Sequence, residues 1–134
     1  MINEYMQRIE ATDYWDAKVY DLQASYFGDE VTLYFENDDD STWRILFKRC
    51  ASVEYETDAA WKSRNSEKLK AVKNMKATQL GYYCQDISID ENPNFSGFYD
   101  ISLDLSVMKV KITCNEIVVD SIPSTSLQFF WEEN

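Results

Sequence analysis

The sequence predicts an α+β, β-rich fold: two antiparallel four-stranded meanders, packed as a sandwich or curled into a barrel, with two helices. Three observations predict it. Eight short runs alternate apolar and polar residues with period two and are rich in β-branched and aromatic side chains, as half-buried strands are. Two further stretches switch to helical spacing. The runs also fall in the order helix, four strands, helix, four strands, so residues 1–134 read as one domain whose halves, 1–58 and 59–134, follow one plan as an internal pseudo-duplication. A chain of 134 residues can hide about two-thirds of its unfolded surface, enough for a continuous core.

The first element is a helix over about Asn3–Ala11, because Ile2, Tyr5, Met6 and Ile9 recur at i, i+3, i+4 and i+7. Strands are expected from Trp15 (W-D-A-K-V), Val31 (V-T-L-Y-F), Trp43 (W-R-I-L-F) and Val53 (V-E-Y). Gly28-Asp29 and the run Asn37 to Ser41 supply turns between them, since short Asx side chains bond their own backbone. Leu69, Val72 and Met75 form a narrow apolar stripe that predicts a second helix over 66–77, with Ser66 as its N-cap. Four strands follow Gly81: Y-Y-C-Q-D-I-S-I-D, F-Y-D-I-S-L-D-L, M-K-V-K-I-T-C and E-I-V-V-D. R-I-E-A-T at 8–12 echoes N-M-K-A-T at 74–78, which supports the pseudo-duplication.

Strand register follows from the alternation, because a one-residue slip would turn every buried side chain outward. A turn at Ser106-Val107 sets Leu103 against Val110 and Ile101 against Ile112 inside, with Asp104 against Lys109 and Ser102 against Lys111 outside. Continuing the meander around Cys114-Asn115 places Asp120 opposite Lys109. Between D-I-S-I-D (86–90) and D-I-S-L-D (100–104), repulsion of facing carboxylates favours Asp86 opposite Ser102 and Ser88 opposite Asp100. In the first half, Phe35 meets Trp43, Leu33 meets Ile45, and Arg44 lies between Tyr34 and Glu56. Trp15, Trp43, Tyr82 and Tyr83 are expected in the core.

Chemistry is conspicuous by what is missing. The chain has no histidine, which removes the usual neutral-pH base and the Ser-His and Cys-His nucleophile pairs. Three glycines, at 28, 81 and 97, cannot build a phosphate-cradling loop. Cys50, Cys84 and Cys114 are odd in number and widely spaced, which suits reduced, packed thiols. Asp86, Asp90, Asp100 and Asp104 remain as candidates for carboxylate catalysis or a hard cation, but strands hold them apart in solvent beside lysines. The reading is therefore no catalytic residue, no metal and no cofactor, and a non-enzymatic protein.

The net charge of −11 is uneven, since residues 61–80 hold six cations against Glu67 alone. An acidic body repels nucleic acid and anionic membrane and attracts a basic protein. The lysines of the second helix read as solvated. The N-terminus lacks a basic start and apolar run, so a cytoplasmic location is expected. Asp86, Ser88, Asp90, Asp100, Ser102 and Asp104 then form a serine-spaced acidic stripe as a partner-binding face. Phe129, Phe130 and Trp131 at the terminus pack back onto the sheet, with Trp131 the candidate anchor for a partner.

Trp43-x-Ile45-x-Phe47, Gln85-Asp86-Ile87 and the final F-F-W, on a small acidic α+β chain, resemble uncharacterised bacterial proteins of the kind encoded beside polymorphic toxins as immunity proteins. The resemblance implies a protein that binds a cognate toxin, often a basic nuclease, and blocks it; it assigns no site residue. Two other classes stay open: a small-ligand-binding domain or carboxylate-based enzyme with its site between the sheets, and a structural or assembly subunit.

Overall fold

The computed structural model describes residues 1–57 and 71–132. Among these residues one helix, α1 (Ile2–Glu10), precedes eight strands: β1 (Val19–Ser25), β2 (Glu30–Glu36), β3 (Ser41–Lys48), β4 (Ser52–Thr57), β5 (Tyr82–Glu91), β6 (Tyr99–Ser106), β7 (Met108–Cys114) and β8 (Glu116–Pro123). All strand pairings within the sheets are antiparallel. Helix α1 buries Tyr5 and Ile9, as its spacing demands, and lies against β5 and β8. Thr12 stops it by donating its hydroxyl to Ile9 O at 2.6 Å, and Asp13 then turns the chain with φ +52°.

The expected first strand is displaced. Residues 13–17 are a turn, with Asp13 and Asp16 in the left-handed region and Ala17 N donating to Tyr14 O at 2.9 Å, so β1 starts at Val19 rather than Trp15. Trp15 is consequently 49% exposed, and Tyr83 lies outside the core as well. Tyr14 is the aromatic that goes inside; its hydroxyl accepts from Ile87 N at 3.2 Å on the open edge of β5. The second helix is also corrected. Within the described part of 66–77, Val72–Asn74 form a single 3-10 turn and Met75 is extended; Ser66 and Leu69 lie outside the described residues.

The principal correction is topological. The sheets are ordered β1-β2-β3-β8 and β4-β7-β6-β5, so each half of the chain keeps three strands and gives its fourth to the other sheet. Strand β8 therefore pairs with β3, setting Ile117 against Phe47, Val119 against Ile45 and Asp120 against Arg44. Strand β4 pairs with β7, setting Glu56 against Lys109 and Glu54 against Lys111. Asp120 does not face Lys109, and Glu56 does not face Arg44. The strand order is unchanged when β1–β4 are exchanged with β5–β8, which is a symmetry of topology.

The two crossovers, β3 to β4 and β7 to β8, run side by side and are tied together. Ala51 N donates to Thr113 O at 2.8 Å and Asn115 N to Lys48 O at 3.1 Å. Arg49, at φ +53°, donates from Nε to Asn115 Oδ1 and from its terminal nitrogen to Glu116, both at 2.8 Å. At the opposite side the sheets meet, among the described residues, at an isolated bridge, Lys18 to Tyr83, and they do not close into a barrel.

Between the sheets lie Leu33, Phe35, Ile45, Phe47, Ile101, Leu103, Leu105, Val110, Ile112 and Ile117, all buried. Each large aliphatic side chain removed from water in this way stabilises the fold by about 1.5–3 kcal/mol before entropy is counted. The inner registers Leu33–Ile45, Phe35–Trp43, Ile101–Ile112 and Leu103–Val110 are those the alternation predicts. The C-terminal segment folds back over the outer face of the first sheet, as expected. Phe129 is buried and stacks on Trp131 at 5.4 Å, and Trp131 Nε1 donates to Tyr20 O at 2.7 Å.

Candidate functional site

The alternation that turns Ile87, Ile89, Ile101 and Leu103 inward turns Asp86, Ser88, Asp90, Asp100, Ser102 and Asp104 outward, onto one face of the β4-β7-β6-β5 sheet. Three cross-strand rows result. The first is Glu56, Lys109, Asp104, Asp86; the second Glu54, Lys111, Ser102, Ser88; the third Ser52, Thr113, Asp100, Asp90. Six carboxylates thus share the face with two lysines. Glu54 and Glu56 were not expected here, because the sequence reading kept β4 with the first half. The signal that could have found them is the fit of E-Y-E in β4 to K-V-K in β7, Glu against Lys at both outer positions.

The register of the two D-I-S strands is the one that electrostatic repulsion had disfavoured. Asp86 faces Asp104, Ser88 faces Ser102 and Asp90 faces Asp100. Repulsion is relieved because one carboxylate of each facing pair is held by two donors, one of them a β7 side chain. Lys109 Nζ and Ser106 N both donate to Asp104 Oδ1. Asn92 Nδ2 and Thr113 Oγ1 donate to Asp100 Oδ1 at 2.9 and 2.8 Å. Charge-assisted bonds of this kind are worth more than the cross-strand repulsion of two exposed carboxylates. The connecting loop favours the same register: Asn92 Oδ1 accepts from Asn94 N and Phe95 N, Asn92 N donates to Phe98 O, and Gly97 takes φ +82°.

The Lys109 hydrogen bond holds the Asp104 carboxyl below the usual carboxylate range against a small opposing effect of burial, with the Ser106 N–H assisting. Asp86, Asp90, Glu54 and Glu56 make no hydrogen bond or ion pair with a described residue, and all four are exposed. Among the described residues, no three of the Asp, Glu and Cys side chains converge as metal ligands. Trp131, the remaining candidate, is on the other sheet, half-buried against Tyr20 and Phe129 and not beside the acidic rows.

A cavity of about 300 Å³ opens beneath β1 and β4, lined mainly by apolar groups including Val19, Leu22, Val53, Tyr55, Tyr82 and Met108. Tyr82 and Thr57 hydrogen-bond through their hydroxyls at 2.8 Å on its rim. The ionisable side chains that line it among the described residues are Asp21 and the tyrosines Tyr20, Tyr55 and Tyr82. No helix among the described residues is long and apolar enough to cross a membrane.

Comparison with known proteins adds to this picture. No curated protein matches the chain. A crystal structure of an uncharacterized protein from Neisseria gonorrhoeae superposes with a TM-score of 0.50 over 81% of this chain and 94% of that one, at 12% identity, which is a likeness of fold alone. A family model described as "Immunity protein PIM7" matches residues 1–121, an interval that contains α1, β1–β7 and most of β8. The chain therefore belongs to the PIM7 immunity protein family.

Proposed function

We propose that this protein works in the cytoplasm as a non-enzymatic immunity protein, binding a toxin through the acidic outer face of the β4-β7-β6-β5 sheet and blocking it. Membership in an immunity protein family supports the role. The observation that carries the choice of surface is that Glu54, Glu56, Asp86 and Asp90 stand exposed on one sheet face and make no ion pair or hydrogen bond with a described residue. Carboxylates already held by internal donors, such as Asp104, have little to offer a partner. Unpaired ones on a sheet can meet lysine and arginine without first breaking an interaction, and their field steers a basic partner inward. The partner is accordingly a toxin domain with a basic surface.

The test is the association rate with the toxin encoded beside the gene. Reversing Asp86 and Asp90 to lysine should slow association by about tenfold at low salt and flatten its salt dependence, while the dissociation rate changes less. Unchanged association and an unchanged salt slope would assign docking to another surface. Loss of protection against the toxin in cells expressing the double variant is the matching functional readout.

A further inference from the structure

Of the three cysteines, two are brought together and one is not. Cys50 sits in the β3–β4 crossover and Cys114 ends β7, where the chain leaves for the other sheet. The backbone bonds Ala51 N to Thr113 O and Asn115 N to Lys48 O hold the two crossovers in register, and Cys50 N is itself fixed by Asp29 O at 2.8 Å. Cys114 is fully buried, whereas Cys50 is only half-buried and reachable from solvent. Cys84 lies apart in the core, and burial alone pushes its thiol up to about 12.

Their environments push the paired thiols in opposite directions. Cys50 Sγ donates to Phe47 O at 3.4 Å, and the adjacent Cys114 thiol draws Cys50 below the ordinary thiol range, against its burial and the nearby Asp29 and Glu30 carboxylates, which oppose ionisation. The same closeness to Cys50, with burial, raises Cys114. One thiol is thus the readier nucleophile and only half-buried, and its neighbour lies fully buried beside it. Attacking and resolving thiols in redox pairs divide their roles in this way.

We propose that Cys50 is an oxidation site and that Cys114 resolves it to an intramolecular disulfide joining the two crossovers. The oxidant is a peroxide. The Cys50 thiolate attacks one peroxide oxygen, an S–O bond forms, the O–O bond breaks, and hydroxide leaves to take a proton as water. Cys114 sulfur then attacks the Cys50 sulfenic acid, forming S–S and breaking S–O; the departing hydroxide takes the Cys114 proton. Two thiols and one hydrogen peroxide give one disulfide and two waters, the sulfurs losing two electrons and the peroxide gaining them. The bond would clip the place where each half of the chain passes its last strand to the other sheet, so it would secure β4, and with it Glu54 and Glu56, against β7.

The experiment uses the reduced full chain and hydrogen peroxide, with no toxin present, so its outcome is separate from the toxin-binding reading. Tryptic mass mapping should show a Cys50–Cys114 cross-link with loss of two hydrogens and Cys84 unmodified. Cys50→Ser should abolish the cross-link, and Cys114→Ser should leave a sulfenic acid on Cys50 that dimedone labels. Iodoacetamide should alkylate Cys50 in the reduced native protein at least about tenfold faster than Cys84, a readout that does not depend on any variant folding. Oxidation of Cys84 as fast as Cys50, or progress of wild-type Cys50 to sulfinic acid without a cross-link, would overturn the proposal.

Discussion

Arg44 and Asp120 form an ion pair at 2.7 Å across β3 and β8, joining two strands from opposite halves of the chain. The pair records the strand exchange that defines the fold, because an aspartate expected beside Lys109 is found on the other sheet. Both side chains remain about one-third exposed, so solvent screens the attraction. A double-mutant cycle on Arg44→Ala and Asp120→Ala should give a coupling of about 0.5–1 kcal/mol in urea unfolding. The same cycle on Asp120 and Lys109 should give none; coupling there would restore the simple meander.

Asp86 and Asp104 face each other, but only Asp104 has a cation. Asp86→Asn should therefore stabilise the protein by a few tenths of a kcal/mol, about 0.2–0.5, at low ionic strength, and the gain should shrink in salt. Asp104→Asn should do the opposite and destabilise. Equal signs for the two substitutions would contradict the observed register.

The depressed Asp104 carboxyl also sets a direction with pH. Its folded pKa lies below the ordinary 3.8, so the folded state holds its proton less tightly than the unfolded chain does. The contribution is present above pH 3.8 and is lost as pH falls through the folded value. In acid titrations followed by circular dichroism, Asp104→Asn should be less sensitive than the wild type below that pH.

At the alkaline end Cys84 acts in the other direction. Its thiol is pushed from 9.0 up to about 12 by burial, so the unfolded chain ionises first and stability falls through that interval. The loss should approach about 1.4 kcal/mol per pH unit from this group. Cys84→Ala should lessen the fall of the urea midpoint between pH 9 and 10 without abolishing it, because Cys114, raised by its Cys50 neighbour and by burial, keeps its share; this range lies below that where Tyr14, Tyr20 and Tyr99, raised by burial, add their own loss.

Packing separates two aromatic-rich regions that look alike in sequence. Ile101 is 1% exposed between the sheets, and Ile101→Ala should cost about 2–4 kcal/mol. Trp15 is half-exposed and stacks on Tyr14 at 4.3 Å, so Trp15→Ala should cost less than about 1 kcal/mol. Similar losses at the two positions would return Trp15 to the core.

Sequence by itself determined what alternation can determine: strands β2 to β8, the first helix, the inward set Ile87, Ile89, Ile101 and Leu103, and the outward set from Asp86 to Asp104. It also determined the local hairpins, since Leu33–Ile45 and Leu103–Val110 depend on short turns and a period of two. Only the tertiary structure decided which sheet receives β4 and β8. Lys109 is flanked by two carboxylates whether its second neighbour is Asp120 or Glu56, and Arg44 by Tyr34 and one carboxylate whether that is Glu56 or Asp120, so local charge and hydropathy score both topologies equally. What separates them is non-local: Asn115 and Arg49 locking the crossovers, and Ile117 and Val119 packing against Phe47 and Ile45. The D-I-S register was decided in the same way, by Lys109 and Thr113 on a third strand that two-strand reasoning leaves out.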